Sequence, residues 1–312
     1  MLTEGHATPA TNGAGSAFVL AIDFGGSKTA VATVDPRGQI VATERLGLDK
    51  ATRAEEIVAD AARAGRRLLE AAPSGPCVGV GVARPGIPSA EGVLLSPNLP
   101  SWDRVRLAEE IGDAFGIAPV VVANDVKCAA LAEHRWGVLR DVDLALYVNL
   151  GSGVGAATVA SGRVLDGAHG GAGEIGYAAG RIPELDRVTS TLEDMVGGRR
   201  LAERASELAG RTLTTREVFD SNEPALANLV DDALATLGAH LRTLVLAFDP
   251  TRVALGGGLM GHAERVLCAL RRHLSVPAPF SVDVVAGQFL YDAALRGAAA
   301  VALDAVRGGA DG

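Results

Sequence analysis

Two similar α/β lobes facing each other across a cleft are expected from this chain of 312 residues. A unit of strand, glycine tip, strand, turn and strand occurs twice, over residues 18–43 and 144–165. Elsewhere, short β-branched runs alternate with Ala- and Leu-rich stretches of helical period, the pattern of α/β architecture. One of those runs, 119–123, hands over directly to helix formers at Asn124-Asp125. That junction is a strand's carboxyl end, where open α/β sheets bind ligands.

The first unit starts with the apolar strand 18–22, which runs into Asp23-Phe24-Gly25-Gly26-Ser27-Lys28-Thr29. A second strand follows at 30–34, a turn at Asp35-Pro36-Arg37-Gly38, and a third strand at 39–43. Lacking side chains, Gly25 and Gly26 let backbone N–H groups come close to an anion. The same pair also suits a plain tight hairpin. The spacing is not that of a Walker loop, and a strand rather than a Rossmann helix follows.

An amphipathic helix is expected over 54–71, with Ile57, Ala61, Leu68 and Leu69 on its apolar side. A buried strand at 77–82 leaves through the turn Arg84-Pro85-Gly86. The loop 96–102 carries Asn98 and Trp102, a pair that faces a sugar or simply packs. Asn124 and Asp125 then stand between the strand and the helix-forming stretch 126–133. Both residue types cap helices. Both also suit a cleft, where a helix N-terminus favours a carboxylate that acts as a base. The dipeptide alone does not separate these roles.

In the second unit, the strand 144–148 leads to Asn149-Leu150-Gly151-Ser152-Gly153-Val154-Gly155, the strand 156–160, the turn Ser161-Gly162 and residues 163–165. Asp23 matches Asn149, Gly25 matches Gly151 and Gly38 matches Gly162. Matched turn glycines point to an internal duplication, in which each lobe supplies a phosphate loop.

Residues 166–177 crowd glycines around Glu174, a backbone shaped for a ligand. Thr191 caps a helix, and a long helix spans 225–247 until Asp249-Pro250 stops it. The strand 252–255 ends at Gly256-Gly257-Gly258, where a flat nucleobase can lie on backbone, and a helix starts near Gly261. A last strand at 282–285 and a closing helix at 292–306 complete the chain.

Composition narrows the functional classes. Hydrophobic residues make up 48% and charged ones 21%, ordinary for a globular protein. A net charge of −8 argues against general nucleic-acid binding. No apolar stretch has the length of a membrane span. Residues 1–17 lack the basic start and apolar core of a signal peptide, and a disordered leader is expected there. Cys77, Cys128 and Cys268 form no disulfide framework, so a reducing, cytoplasmic location is expected.

In this order the pieces resemble the ROK family of sugar kinases and repressors, whose fold is the two-lobed, duplicated actin-like (ribonuclease H-like) one. The resemblance covers residues 18–306. It implies lobes at 18–123, closed by a C-terminal helix over 291–306, and at 124–290. Asp23, Gly25, Gly26, Ser27 and Lys28 resemble the first phosphate motif. Gly151, Ser152, Gly153 and Gly155 resemble the second, and Gly256, Gly257 and Gly258 the adenosine motif. Asn124 and Asp125 resemble the sugar-binding Asn and the catalytic Asp. Glu174, Tyr177 and Glu193 lie at sugar-binding positions, and Asn98 is expected to join them. The implied enzyme uses ATP and Mg2+, with Asp23 holding the metal through water. It phosphorylates a primary hydroxyl of a glucose-type hexose, an amino sugar or a cyclitol, with ATP or polyphosphate as donor. A homodimer without nucleic-acid or membrane partners is implied as well. A repressor would need a DNA-binding head, which the leader does not show, and a non-catalytic sensor would not need Asp125 and both phosphate loops.

Three features depart from the family pattern. Tyr177 stands in place of the family's His, and residues 178–190 hold no Cys, so no zinc site is expected. Lys127 replaces a common Asn. It is either a surface residue or one that alters the charge of the site.

Overall fold

The computed structural model describes residues 16–26, 28–48, 52–72, 75–89, 92–94, 102, 105–180, 190–275 and 281–310. Ser27, Asn98 and most of the expected leader lie outside them.

The duplication appears as two five-stranded sheets of the same order. In the first, β1 (Phe18–Phe24), β2 (Lys28–Val34) and β3 (Ile40–Gly47) form the antiparallel meander. The strands β4 (Cys77–Arg84) and β7 (Val120–Asn124) extend it in parallel, giving the order β3-β2-β1-β4-β7. A small hairpin, β5 (Ile87–Ser89) with β6 (Gly92–Leu94), lies between those two strands in the chain. The second sheet builds β8 (Leu144–Leu150), β9 (Val154–Ala160) and β10 (Arg163–Val164) into the same meander. It then adds β11 (Arg252–Gly256) and β12 (Asp283–Ala286), in the order β10-β9-β8-β11-β12.

Helices cover these sheets as the apolar periods require. On one face of the first sheet, α1 (Ala54–Glu70) and α2 (Leu107–Phe115) pack on Leu20, Ile22, Phe24, Val80 and Val82. Trp102 joins this core, edge-on to Phe24 at 5.0 Å between ring centres, so it packs rather than facing the cleft. On the other face lies the closing helix α9 (Ala293–Ala310), and α3 (Asp125–Trp136) packs between α9 and the second sheet. Along the second sheet run α4 (Leu192–Val196), α5 (Gly198–Ala209), α6 (Thr215–Asp220), α7 (Pro224–Phe248) and α8 (Ala263–Leu274). A 3-10 turn, Gly258–His262, stands where the sequence led to expect the start of α8. Among the described residues, no helix is long and apolar enough to cross a membrane.

Two charged groups, Glu133 buried and Arg135 half-buried, lock α3 in place. Glu133, with no exposed surface, accepts the N–H of Val138 at 2.9 Å and of Phe289 at 2.8 Å. Arg135 donates to the Ala300 carbonyl at 3.0 Å and to Asp304 at 2.6 Å, tying α3 to α9.

Candidate active site

The carboxyl ends of β1, β4 and β7 lie side by side. Asp23 pairs in register with Ala83, and Arg84 with Asn124. Asn124 caps α3, its Oδ1 accepting the Lys127 N–H at 3.1 Å. Its amide also donates to the Gly86 carbonyl at 3.2 Å and to Glu174 Oε1 at 3.4 Å. One residue thus joins the first lobe's strand ends to the second lobe's glycine-rich segment. The capping and cleft roles expected of it are both accommodated.

Asp125 opens the first turn of α3, where Oδ1 accepts the Val126 N–H at 2.9 Å. A helix N-terminus by itself lowers a carboxyl pKa. Here burial wins and pushes it up, against that hydrogen bond and the charge of Arg84. This reverses the direction expected from the helix end alone. An elevated pKa brings a carboxylate nearer the range where a base works well at neutral pH.

Asp23 is pushed up to about 7, by burial first and by the Asp125 charge second, with Lys28 opposing. The stability consequence has a definite sign. The folded value lies above the ordinary 3.8, so the contribution is complete below that value and is lost as pH rises through about 7. In metal-free protein at pH 8, Asp23→Asn should therefore be more stable than wild type by about 2 kcal/mol, after discounting for partial solvent access. Melting curves should show this gap closing toward pH 4. A gap that is the same at both pH values would contradict the charge argument.

Each glycine loop contributes a distinct geometry. At the first, Gly25 N–H donates to the Lys28 carbonyl at 3.0 Å, Gly26 is exposed, and Lys28 starts β2 with its side chain outward. At the second, Gly151 N–H donates to the Gly153 carbonyl at 3.0 Å, and Ser152 is exposed. A Cβ on Gly153 would lie 2.3 Å from Glu193 Oε2, and one on Gly155 would lie 3.0 Å from Val126, beside Asp125. Glu193 Oε2 accepts the Val154 N–H at 3.1 Å. Expected as a sugar ligand, Glu193 also braces the second loop.

In the third glycine run, Gly256 and Gly257 are required by packing. A Cβ on Gly256 would meet the Tyr147 hydroxyl at 2.0 Å, and one on Gly257, whose φ is +89°, would meet the Leu150 carbonyl at 2.5 Å. Only Gly258 faces open space, with no atom within 4 Å of its would-be Cβ.

The glycine-rich segment before Glu174 is pinned from α3. Lys127 is 8% exposed and so is not a surface residue. Its Nζ donates to Asp166 Oδ1 at 2.9 Å, the Asp166 carbonyl at 3.2 Å and the Gly170 carbonyl at 2.8 Å. Glu174 is raised by burial and by the charge of Asp125, with Lys127 opposing. Tyr177 follows on a 3-10 turn and is 47% exposed. Burial and the charges of Glu174 and Glu193 raise its hydroxyl pKa. After it, the backbone bridge between Ala179 and Thr191 leads into α4, capped by Thr191 and Asp194 in a reciprocal box. Residues 181–189 lie outside the described residues. Among those described, no group of three or more His, Cys, Asp or Glu could hold a metal ion.

Six of the expected residues therefore come near one another. Asp23, Asn124 and Asp125 stand at the first sheet's strand ends, and Glu174, Tyr177 and Glu193 face them from the second lobe. Arg84, part of a turn by sequence, ends β4 next to Asn124. The sequence signal for it is the duplication. The strand registers Asp23–Ala83 and Asn149–Gly256 put Arg84 where the second sheet has Gly257.

Similarity to known proteins is extensive. A family model described as the ROK family matches residues 19–305. The N-acetylgalactosamine kinase AgaK of Shewanella sp. (strain ANA-3) is 30% identical over 270 residues, covering 80% of this chain and 84% of that protein. The N-acetylmannosamine kinase of Escherichia coli O139:H28 (strain E24377A / ETEC) is 32% identical over 298 residues, covering 91% and 97%. A ROK family glucokinase from Streptomyces griseus, solved in complex with glucose and AMPPNP, superposes with a TM-score of 0.78 at 25% identity, covering 92% and 99%.

Proposed function

The chain belongs to the ROK family and is a carbohydrate kinase, and from that premise we propose that it transfers the γ-phosphate of ATP to a primary hydroxyl of a hexose, the 6-hydroxyl of a glucose-type ring. The observation that carries the reading is the position of Asp125. Its carboxyl sits at the first sheet's strand ends, beside the second glycine loop and within reach of the charge of Glu174.

Phosphoryl transfer demands mostly positioning and neutralisation of charge. The loops at Gly25-Gly26 and Gly151–Gly155 would offer backbone N–H groups to the phosphates, Ser27 and Ser152 would add hydroxyls, and Lys28 would supply positive charge. Gly258 leaves room for the adenosine. Asp125 would accept the proton of the attacking hydroxyl while Asn124, Glu174, Glu193, Tyr177 and Asn98 orient the ring. Asp23 fits magnesium, which binds proteins through one or two carboxylates plus water and phosphate oxygens. Burial and the neighbouring Asp125 charge raise its pKa, and a bound cation would oppose both. The metal, when bound, neutralises charge on the phosphates. The lobes 18–123, with the helix 291–306, and 124–290 would close over the substrates and exclude water.

The relatives named above act on N-acetylated amino sugars as well as glucose, so the acceptor panel must span both. The test measures ADP release with glucose, a β-glucoside, N-acetylmannosamine, N-acetylgalactosamine and a cyclitol. Each is assayed with ATP-Mg and again with polyphosphate. A glucose-type ring with ATP should give the highest kcat/KM. Preference for an N-acetylated sugar would move the assignment to amino sugars, and no turnover with any acceptor would end the kinase reading.

A further inference from the structure

The strand registers place three residues in a row. One position beyond the Asp23–Ala83 and Ala83–Ala123 pairs come Phe24 on β1, Arg84 on β4 and Asn124 on β7. Registered neighbours on adjacent strands project from the same face. Here it is the face whose lower rows are Ile22, Val82 and Val122, and Trp102 closes it against Phe24. Arg84 thus stands between an aromatic wall and the Asn124 amide that reaches Gly86 and Glu174.

Its environment leaves it unfinished. Arg84 is 3% exposed, yet Nε and Nη2 have no hydrogen-bond partner among the described residues. A guanidinium stays charged at working pH, and burying one with idle donors is costly. Burial holds its pKa down to about 10, with the Asp125 charge opposing, so the group lies within the field of the proposed base. Two other cations near the site have different settings. Lys127 is held by Asp166 and Gly170, and Lys28 is exposed on β2.

We infer that Arg84 is a specificity-determining residue, whose Nε and Nη2 form a fork that receives an oxygen pair of the acceptor ring on the Asn124 side of the site. The inference rests on the hexose kinase reading. Two parallel donors match paired oxygens better than a lysine's point charge does. Unpaired in the free protein, they also select against an acceptor that lacks those oxygens, because the guanidinium would then remain idle after water has left.

The test combines three variants, Arg84→Lys, Arg84→Gln and Arg84→Met, with a series of single-deoxy acceptors. Removing the charged fork should raise the acceptor KM about 10–100-fold, the worth of a charge-assisted hydrogen bond. The kcat and the ATP KM should stay within about threefold, since no nucleotide contact is lost. In wild type, one deoxy position should lose a similar factor, and Arg84→Met should be indifferent to that same position. Melting curves screen the variants. If Arg84→Met fails to fold, Arg84→Gln serves in its place. Unchanged acceptor KM in folded variants, a loss confined to kcat, or no coupling to any deoxy position would overturn the inference. If wild type phosphorylates no sugar at all, the kinase reading itself has failed.

Discussion

Asp125→Asn should lower kcat about 1,000-fold, within the range expected when a general base is removed. The amide keeps the size of the side chain and an oxygen for the Val126 N–H, which wild type binds at 2.9 Å. Folding is therefore preserved, and the melting temperature should be no lower than that of wild type, because a carboxyl that burial pushes up is replaced by a neutral group. Acceptor and nucleotide affinities should change by less than about fivefold, since the lost interaction is made in the transition state. Steady-state kinetics and equilibrium binding of AMPPNP separate the two effects. Turnover within about threefold of wild type would remove Asp125 from the mechanism.

The second large effect is expected where α9 crosses α3. Gly297 lies on α9 where that helix crosses α3, and a Cβ there would lie 1.8 Å from the Cys128 carbonyl oxygen and 2.1 Å from its carbon. Backbone cannot yield as a side-chain tip can. Gly297→Ala should therefore force the helices apart and cost about 3 kcal/mol, as overpacking of a tight core does. Because α3 carries Asp125 at its first turn, kcat should fall as well. Gly308→Ala on the same helix is the control. No atom lies within 4 Å of its would-be Cβ, and alanine is the better helix former, so stability should be unchanged or slightly higher. Equal melting temperatures for Gly297→Ala and wild type would show that α3 and α9 are not locked by that contact.

These two predictions mark the reach of the sequence. Asp125 was legible because its signal is local: a β-branched run, an Asn-Asp pair and a helix-forming run, in that order. The duplication was legible for the same reason, since glycine tips and turn glycines recur at matched places, and the two sheets do share one strand order. The contact between Gly297 and Cys128 was not, because it joins residues 169 positions apart through tertiary packing. Arg84 was hidden by Pro85-Gly86, which made it look like the start of a turn. Its burial depends on Phe24 and Asn124, neighbours supplied by other strands. Lys127 reads as one more helix cation until Asp166 and Gly170 are folded over it.

Some local signals are weak beside their surroundings. Thr214 with Glu217 forms a capping box that opens α6, and Gly116, with φ +63°, ends α2. Both helices are short, and the long apolar period of α7 dominates its part of the chain. Gly256 and Gly257 have a packing reason that the sequence does not show. Three consecutive glycines suggested a single surface for a nucleobase. Two of them are glycine because β11 runs against Tyr147 and Leu150, and only Gly258 is open.

The most direct test of the account compares one acceptor with its 6-deoxy analogue. The best sugar of the panel and the same sugar lacking the 6-hydroxyl are supplied at saturation with ATP-Mg, and ADP and sugar phosphate are both quantified. The account predicts one ADP per sugar phosphate for the parent, and no phosphorylated product from the 6-deoxy sugar. Comparable phosphorylation of the 6-deoxy sugar would contradict it, by placing the reacting oxygen elsewhere on the ring.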